Sequence, residues 1–380
     1  MTKVRLIVLS MTILVVSVFG YFVSFIARGY RFDIKTFKFS PNGILVAKSE
    51  PDGASIYING ELSGATNSNI SLPPGSYDVE MTQSGYTTWK KRLTIEKEEV
   101  VQVTAQLFKI APSLSPITFD GANNPIIASD YSKIAYTNKD GLWIMQVSIL
   151  PIGFRNDPKQ ITDGDLELAT YEFSPNGREI LVETQQETYL LDTSNFTPQA
   201  QRVNVAGQKK QILASWQEKL AKQRVSQFKL LPPEMVEILQ RRTSSFTFSP
   251  DETMVMYTAS SSANLADNLI KQLPGSSTQE QERNIKEGLT YVYDIKEDRN
   301  FQVNGEHTNI YWLPTSRHII TPENDQIYIM DYDGTNKQTV FTGGYIFPYA
   351  YPFVTASELL ILTSFGSDTA TPNLYSLTVK

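Results

Sequence analysis

The spacing of apolar positions changes along this 380-residue chain, and each spacing predicts a different element. Between Leu6 and Ala27 the run LIVLSMTILVVSVFGYFVSFIA holds no charged residue. As a helix rising about 1.5 Å per residue it reaches roughly 33 Å, enough to cross a hydrocarbon core of about 30 Å. Beyond residue 44 the pattern shortens into alternating runs separated by turn chemistry. Ser55-Ile56-Tyr57-Ile58 alternates and is followed by Asn59-Gly60, a two-residue hairpin turn in which both positions accept positive φ. Leu72-Pro73-Pro74-Gly75 turns the chain into a strand from Tyr77, Gly85-Tyr86 opens another, and Val100-Val101-Gln102-Val103 closes the set. These short strands predict a small β-sandwich over 36–112.

From 113 to 380 the chain repeats a unit of turn, apolar strand and bulky alternating strand. Turn-and-strand copies begin at Ser129-Asp130, Phe173-Ser174-Pro175-Asn176-Gly177, Phe248-Ser249-Pro250-Asp251 and, more weakly, Leu313-Pro314-Thr315. The partner strands are Leu142-Trp143-Ile144-Met145, Tyr189-Leu190-Leu191-Asp192, Tyr291-Val292-Tyr293-Asp294, Ile327-Tyr328-Ile329-Met330-Asp331 and Leu374-Tyr375-Ser376-Leu377. Five copies of a blade-sized sheet predict a β-propeller of five or six blades. Two stretches interrupt the repeat. Residues 208–242 have helical spacing, with Ile212, Trp216 and Leu220 on one face, and Pro232-Pro233 divides that helix from a short second one. Residues 259–288 are rich in Ser, Asn and Gln and read as a mobile loop.

Charge and composition then narrow the function. The first 35 residues carry five of the 34 basic side chains and one of the 40 acidic ones, so the remainder is strongly acidic. An acidic body repels phosphate backbones, and nucleic acid is not expected as a partner. The chain has no Cys, which excludes disulfides, thiolate metal sites and a Cys nucleophile. Its two His, His307 and His318, are expected to be structural. The apolar run is longer than a signal-peptide core, and Ser24-Phe25-Ile26-Ala27 is a poor cleavage site, so an uncleaved single-span anchor is favoured over 1–35. Arg28, Arg31, Lys35 and Lys38 after the span outnumber Lys3 and Arg5 before it, which leans toward a cytoplasmic body. A Cys-free, Tyr-rich body that can translocate as a domain argues for the extracytoplasmic side, and that placement is preferred.

The sandwich region resembles the PEGA domain family. The resemblance rests on Pro51/Gly53/Ala54, Gly60/Gly64/Thr66, Leu72/Gly75/Tyr77 and Gly85/Tyr86, with Asp52 in place of the namesake Glu and Asn67 where Pro usually follows the Thr. The F-S-P-D/N-G starts and Met330-Asp331-Tyr332-Asp333-Gly334-Thr335 resemble the propeller domain of the Tol-Pal system's periplasmic protein. These resemblances imply an all-β, envelope-associated protein whose sandwich has no activity of its own.

No G-x-S-x-G elbow, Walker A motif or dinucleotide fingerprint is present. Asp163-Gly164-Asp165 lacks calcium-loop spacing and Asp331-x-Asp333-Gly334 reads as a hairpin turn of a blade, so neither metal nor cofactor is expected. No catalytic residue is assigned. The favoured reading is a membrane-anchored scaffold, without catalytic activity, that holds an envelope protein or polysaccharide. Its expected contact residues are Ile212, Trp216, Leu220 and Phe228, whose other reading is simple packing onto the propeller. The contrasting reading is a propeller hydrolase acting on envelope glycans, which would need a pair of carboxylates at the central mouth.

Overall fold

The computed structural model describes residues 2–27, 30–33, 38–147, 157–271, 279–304, 309–353, 357–364 and 371–380. The chain divides into two compact units, Met1–Leu107 with Gln272–Glu280, and Phe108–Lys271 with Gln281–Lys380. His307 and part of the 259–288 stretch lie outside the described residues.

The first unit opens with helix α1, Thr2–Ala27. Its central window, Ile7–Ser24, has a mean hydropathy of 2.2 and buries none of its residues against the rest of the protein. A helix apolar on every side and unpacked is long and apolar enough to cross a membrane. The sandwich follows. One sheet pairs Gly43–Glu50 with Ser68–Leu72 and, in parallel, with Val100–Gln106; the other pairs Ser55–Ile58 with Glu61–Ala65 and Gly75–Thr82, and the last of these with Trp89–Ile95. The alternating strands turn Leu45, Ile56, Met81 and Ile95 inward to a common core. The sequence motif has a physical basis here. The buried Ala54 N–H donates to Thr66 Oγ1 at 2.9 Å, and Thr66 N–H donates back to the Ala54 carbonyl at 2.8 Å. Tyr77 Oη donates to the Pro73 carbonyl at 2.8 Å and fixes the entry of its strand.

The Asn59-Gly60 turn has φ of 51° and 84°. A Cβ on Gly60 would meet nothing within 4 Å, so the glycine serves the backbone alone. Gly60→Val is therefore expected to cost about 1–3 kcal/mol through left-handed strain and no clash. Thermal melting of the full chain in detergent checks this. An unchanged sandwich transition would mean the turn does not need its glycine.

Among the described residues the second unit forms a propeller of five blades, each an antiparallel sheet. Blade one is Asn123–Ile127, Lys133–Asn138, Gly141–Gln146 and Lys159–Asp163. Blade two is Thr170–Phe173, Glu179–Glu183 and Thr188–Asp192, with a single bridge from Tyr189 to Asn204 at its outer edge. Blade three is Thr243–Phe248, Met254–Ala259, Thr290–Asp294 and Arg299–Asn304. Blade four is Tyr311–Trp312, His318–Glu323, Gln326–Asp331 and Gln338–Thr342. Blade five is Ala350–Phe353, Glu358–Thr363 and Asn373–Thr378, completed by Ser113–Pro116 from the start of the unit. Pairing the first strand with the last ties the two ends of the unit together.

The recurring Ser-Pro-Asp/Asn turn is a capping device. Buried Ser174 Oγ accepts from Glu179 N–H at 2.9 Å and donates to Asn176; buried Ser249 Oγ accepts from Met254 N–H at 3.1 Å and donates to Asp251. Each serine closes the turn that starts the second strand of its blade. Separate apolar clusters join blades one and two, three and four, four and five, and five and one. A further cluster packs blade three against the helical insertion instead.

The loop expected over 259–288 contains some regular pairing: Ala263–Asn264 pairs with Asn284–Ile285, and Leu265 and Ile285 are buried.

Candidate binding surface

The first strands of the blades converge. Tyr171 of blade two donates from Oη to the Asn123 carbonyl at 3.2 Å and to the Asn124 carbonyl, both in blade one. Tyr351 of blade five donates to the Pro125 carbonyl of blade one at 2.6 Å. The Tyr311 ring of blade four meets Tyr351 edge-on at 5.3 Å, and Trp312 Nε1 donates to the Thr247 carbonyl of blade three at 3.3 Å. Aromatic side chains and backbone carbonyls thus knit four successive joints. Burial raises the Tyr131 and Tyr311 hydroxyls to about 12, and pushes Tyr171 and Tyr351 higher still. The five first strands contain one carboxylate, Glu172.

The remaining joint, between blades two and three, is bridged from outside by the helical insertion. Helix α2, Lys209–Phe228, is tied at its first turn to blade two by the Lys209–Glu183 ion pair. At its last turn Gln227 Nε2 donates to Glu252 Oε1 at 3.0 Å, and the Phe228 ring lies 5.7 Å from Phe246 of blade three. The Arg224 guanidinium sits over that same Phe246 ring at 5.1 Å. Helix α3, Pro233–Arg241, starts with Pro in its first turn and presents Met235, Ile238 and Leu239 to the blade-three core beside Val255, Tyr257 and Tyr293. So α3 is core, while α2 is a strap.

The four contact residues expected from the sequence all belong to this strap. Trp216 is 3% exposed, and Ile212, Leu220 and Phe228 are half-buried. Phe228 packs with the blade-three cluster. The rest of α2 is open: most of its residues are exposed, Val225 at 59%. Residues 209–229 hold six basic side chains against one acidic, Glu218, whereas the rest of the chain holds 28 against 39. Helical periodicity marks the apolar face, and the Lys and Arg between its members make this basic exterior.

Other candidates have local roles. His318 is buried, with Nδ1 2.8 Å from Thr315 Oγ1, Nε2 3.5 Å from Asp331 Oδ1 and its ring edge-on to Phe108. Asp163 Oδ1 accepts from Gln199 N–H at 2.5 Å, and Asp333 Oδ1 accepts from Thr335 N–H and Oγ1. Among the described residues no group of three His, Asp or Glu is placed to hold a metal ion. A shallow cavity of about 420 Å³ lies beside the Glu323–Gln326 hairpin, with Tyr328 and Phe347 on its wall.

The Ala54–Thr66 clasp, the Asn59-Gly60 turn and the Tyr77 anchor all lie in the sandwich of the first unit. Residues 42–110 match the PEGA domain. The PEGA domain thus covers the whole sandwich and ends within a few residues of the unit boundary at Leu107. Among curated proteins, none matches the chain in sequence. Similar solved structures include a putative TolB from Agrobacterium tumefaciens, at 13% identity and a TM-score of 0.24 over 67% of this chain and 78% of that one. TolB from Acinetobacter baumannii is 13% identical, with a TM-score of 0.20 over 80% of this chain and 59% of that one. The β-propeller domain of Cps50 (Swd1) from Myceliophteria thermophila is 10% identical, with a TM-score of 0.25 over 70% of this chain and 87% of that one. The five-blade architecture rests on the strand pairing within this chain, not on those superpositions.

Proposed function

We propose that this protein is a non-catalytic binding scaffold of the cell envelope, anchored by α1 with its body on the extracytoplasmic side. The observation that carries the reading is the strap: an insertion in the blade repeat that packs one edge and leaves the rest exposed across a blade joint. Loops and insertions on a rigid scaffold are where binding specificity concentrates. The half-buried Ile212, Leu220 and Phe228 would form the lower rim of the contact, with Trp216 holding the helix in place.

Carbonate extraction should leave the intact protein in the membrane fraction, whereas a chain starting at Asp33 should be recovered soluble. Protease added to spheroplasts should digest the body; its protection would place it in the cytoplasm instead. Replacing 209–228 with a Gly-Ser bridge, while keeping α3, should leave the propeller folded and abolish co-purification of an envelope partner. A folded variant that keeps its partner, or hydrolysis of a cell-wall glycan by the intact protein, would overturn the scaffold reading. Deleting all of 208–242 is the poorer test, since it also removes Met235, Ile238 and Leu239 from the blade-three core.

A further inference from the structure

Helix α2 is anchored along one edge only, so its chemistry can be read face by face. Ile212, Trp216 and Leu220 recur every four residues and turn toward the propeller, as their burial requires. On the flank beside that face, Lys219, Lys222, Ser226 and Lys229 follow one another at spacings of three and four residues, and all four are exposed. At about 1.5 Å per residue, Lys219 to Lys229 spans about 15 Å. Among the described residues, Lys219 and Lys229 have no carboxylate within ion-pairing distance, and Lys222 pairs only with exposed Glu218 one turn back at 2.7 Å. The row is an elongated run of ammonium groups and a hydroxyl along the helix. It therefore suits an extended ligand better than a compact one.

Charge outside the strap sharpens this. With 28 basic against 39 acidic residues elsewhere, a polyanion is repelled by most of the molecule and attracted along this ridge. A flat anionic bilayer would press on the outward crest of the helix, where Glu218 sits between Ala214, Ala221 and Val225; a linear chain can follow the flank and avoid it. We infer that the Lys219–Lys222–Ser226–Lys229 row binds a linear polyanionic polysaccharide of the cell envelope. This rests on the scaffold reading and names the chemistry of its partner. Recognition is by point charges and a hydroxyl along the chain, so it should depend on charge spacing and on salt more than on sugar identity.

The test uses the full chain in nanodiscs of neutral lipid, with polygalacturonate as the polyanion and dextran as the neutral control, followed by calorimetry. Polygalacturonate should bind and dextran should not, and affinity should fall steeply between about 50 and 300 mM salt. Lys219→Gln, Lys222→Gln and Lys229→Gln together should weaken binding at least tenfold with unchanged circular dichroism. Lys90→Gln with Lys91→Gln, on the sandwich, should leave it within twofold. Because the chain has no Cys, Val225→Cys gives a single labelling site whose emission should respond to polygalacturonate only while the lysine row is intact.

Absence of polygalacturonate binding by the wild type, or equal binding by the triple variant, would overturn the inference. So would a Val225 label that responds to anionic-lipid nanodiscs without polymer, or tighter binding of a single-stranded oligonucleotide. Failure of the scaffold reading shows elsewhere. In that case the protein does not incorporate into nanodiscs, or it loses no envelope partner when α2 is bridged out.

Discussion

Raising the pH from about 9 to about 12 is expected to unfold the propeller in one steep step, with the tyrosines ionising together. Nine tyrosines of this unit have hydroxyls raised to about 12 or beyond, with burial the first cause in each: Tyr131, Tyr136, Tyr171, Tyr257, Tyr293, Tyr311, Tyr332, Tyr345 and Tyr351. In the unfolded chain each titrates near 10. Above that pH the unfolded state loses protons that the folded state keeps, so stability falls as pH rises. The contribution is fully present below about pH 10 and drains away through the folded values. At pH 11 a fully protected tyrosine loses about 1.4 kcal/mol, less for the half-buried Tyr131, Tyr171 and Tyr311. Together the nine sum to on the order of 10 kcal/mol, comparable with the whole stability of a domain. Phenolate absorbance and near-ultraviolet circular dichroism of the detergent-solubilised chain should therefore change at the same pH. Smooth ionisation centred near 10 with the dichroism retained would mean these side chains are open to solvent.

Of those tyrosines, Tyr136, Tyr257 and Tyr293 could be seen in the sequence as members of repeated strands. Their convergence could not. Tyr351 reaches Pro125 across 226 positions, and Ser113–Pro116 completes a sheet with Asn373–Thr378. Pairings of that separation leave no trace in local periodicity, whereas Asn59-Gly60 specifies its turn by itself. The outer strands were also faint. Lys159–Asp163 and Gln338–Thr342 are short and largely polar, because each covers a sheet edge and buries few side chains. The PEGA segment was legible for the opposite reason: its motif residues make contacts with one another within about 15 positions, as Ala54 does with Thr66.

The strap shows a different limit. A repeat of Ile212, Trp216 and Leu220 identifies an apolar face but not what it faces, and the same spacing serves a body or a partner. Burial of Trp216 answers that for the helix's inner edge, and the charge census of 209–229 then becomes informative about the outer one. Composition has the same limit over 259–288. Ser, Asn and Gln signal loop, yet the two arms of that stretch are held to blade three by a buried ion pair that no local pattern announces.

That ion pair is where a single substitution should cost most. Asp298 is fully buried on the turn between the last two strands of blade three, and the Arg283 side chain is 9% exposed. Arg283 Nη2 lies 3.2 Å from Asp298 Oδ1, and the guanidinium also donates to the Ala266 carbonyl and to Gln281 Oε1 at 3.0 Å. Its Nε lies 3.1 Å from exposed Asp267. Tyr293 Oη donates to Asp298 Oδ1 at 2.8 Å, and the Ile270 N–H donates to Oδ2 at 3.3 Å. One cation thus joins the outgoing arm, the returning arm and the blade. Arg283→Met keeps the length and much of the volume but strands a buried carboxylate, which typically costs about 3–5 kcal/mol. Adding Asp298→Asn removes the stranded charge and should recover part of that loss, since an amide oxygen still accepts from Tyr293. Denaturant melts of the three proteins decide it. A double variant no more stable than Arg283→Met alone would mean that lost packing, and not the uncompensated Asp298, carries the cost.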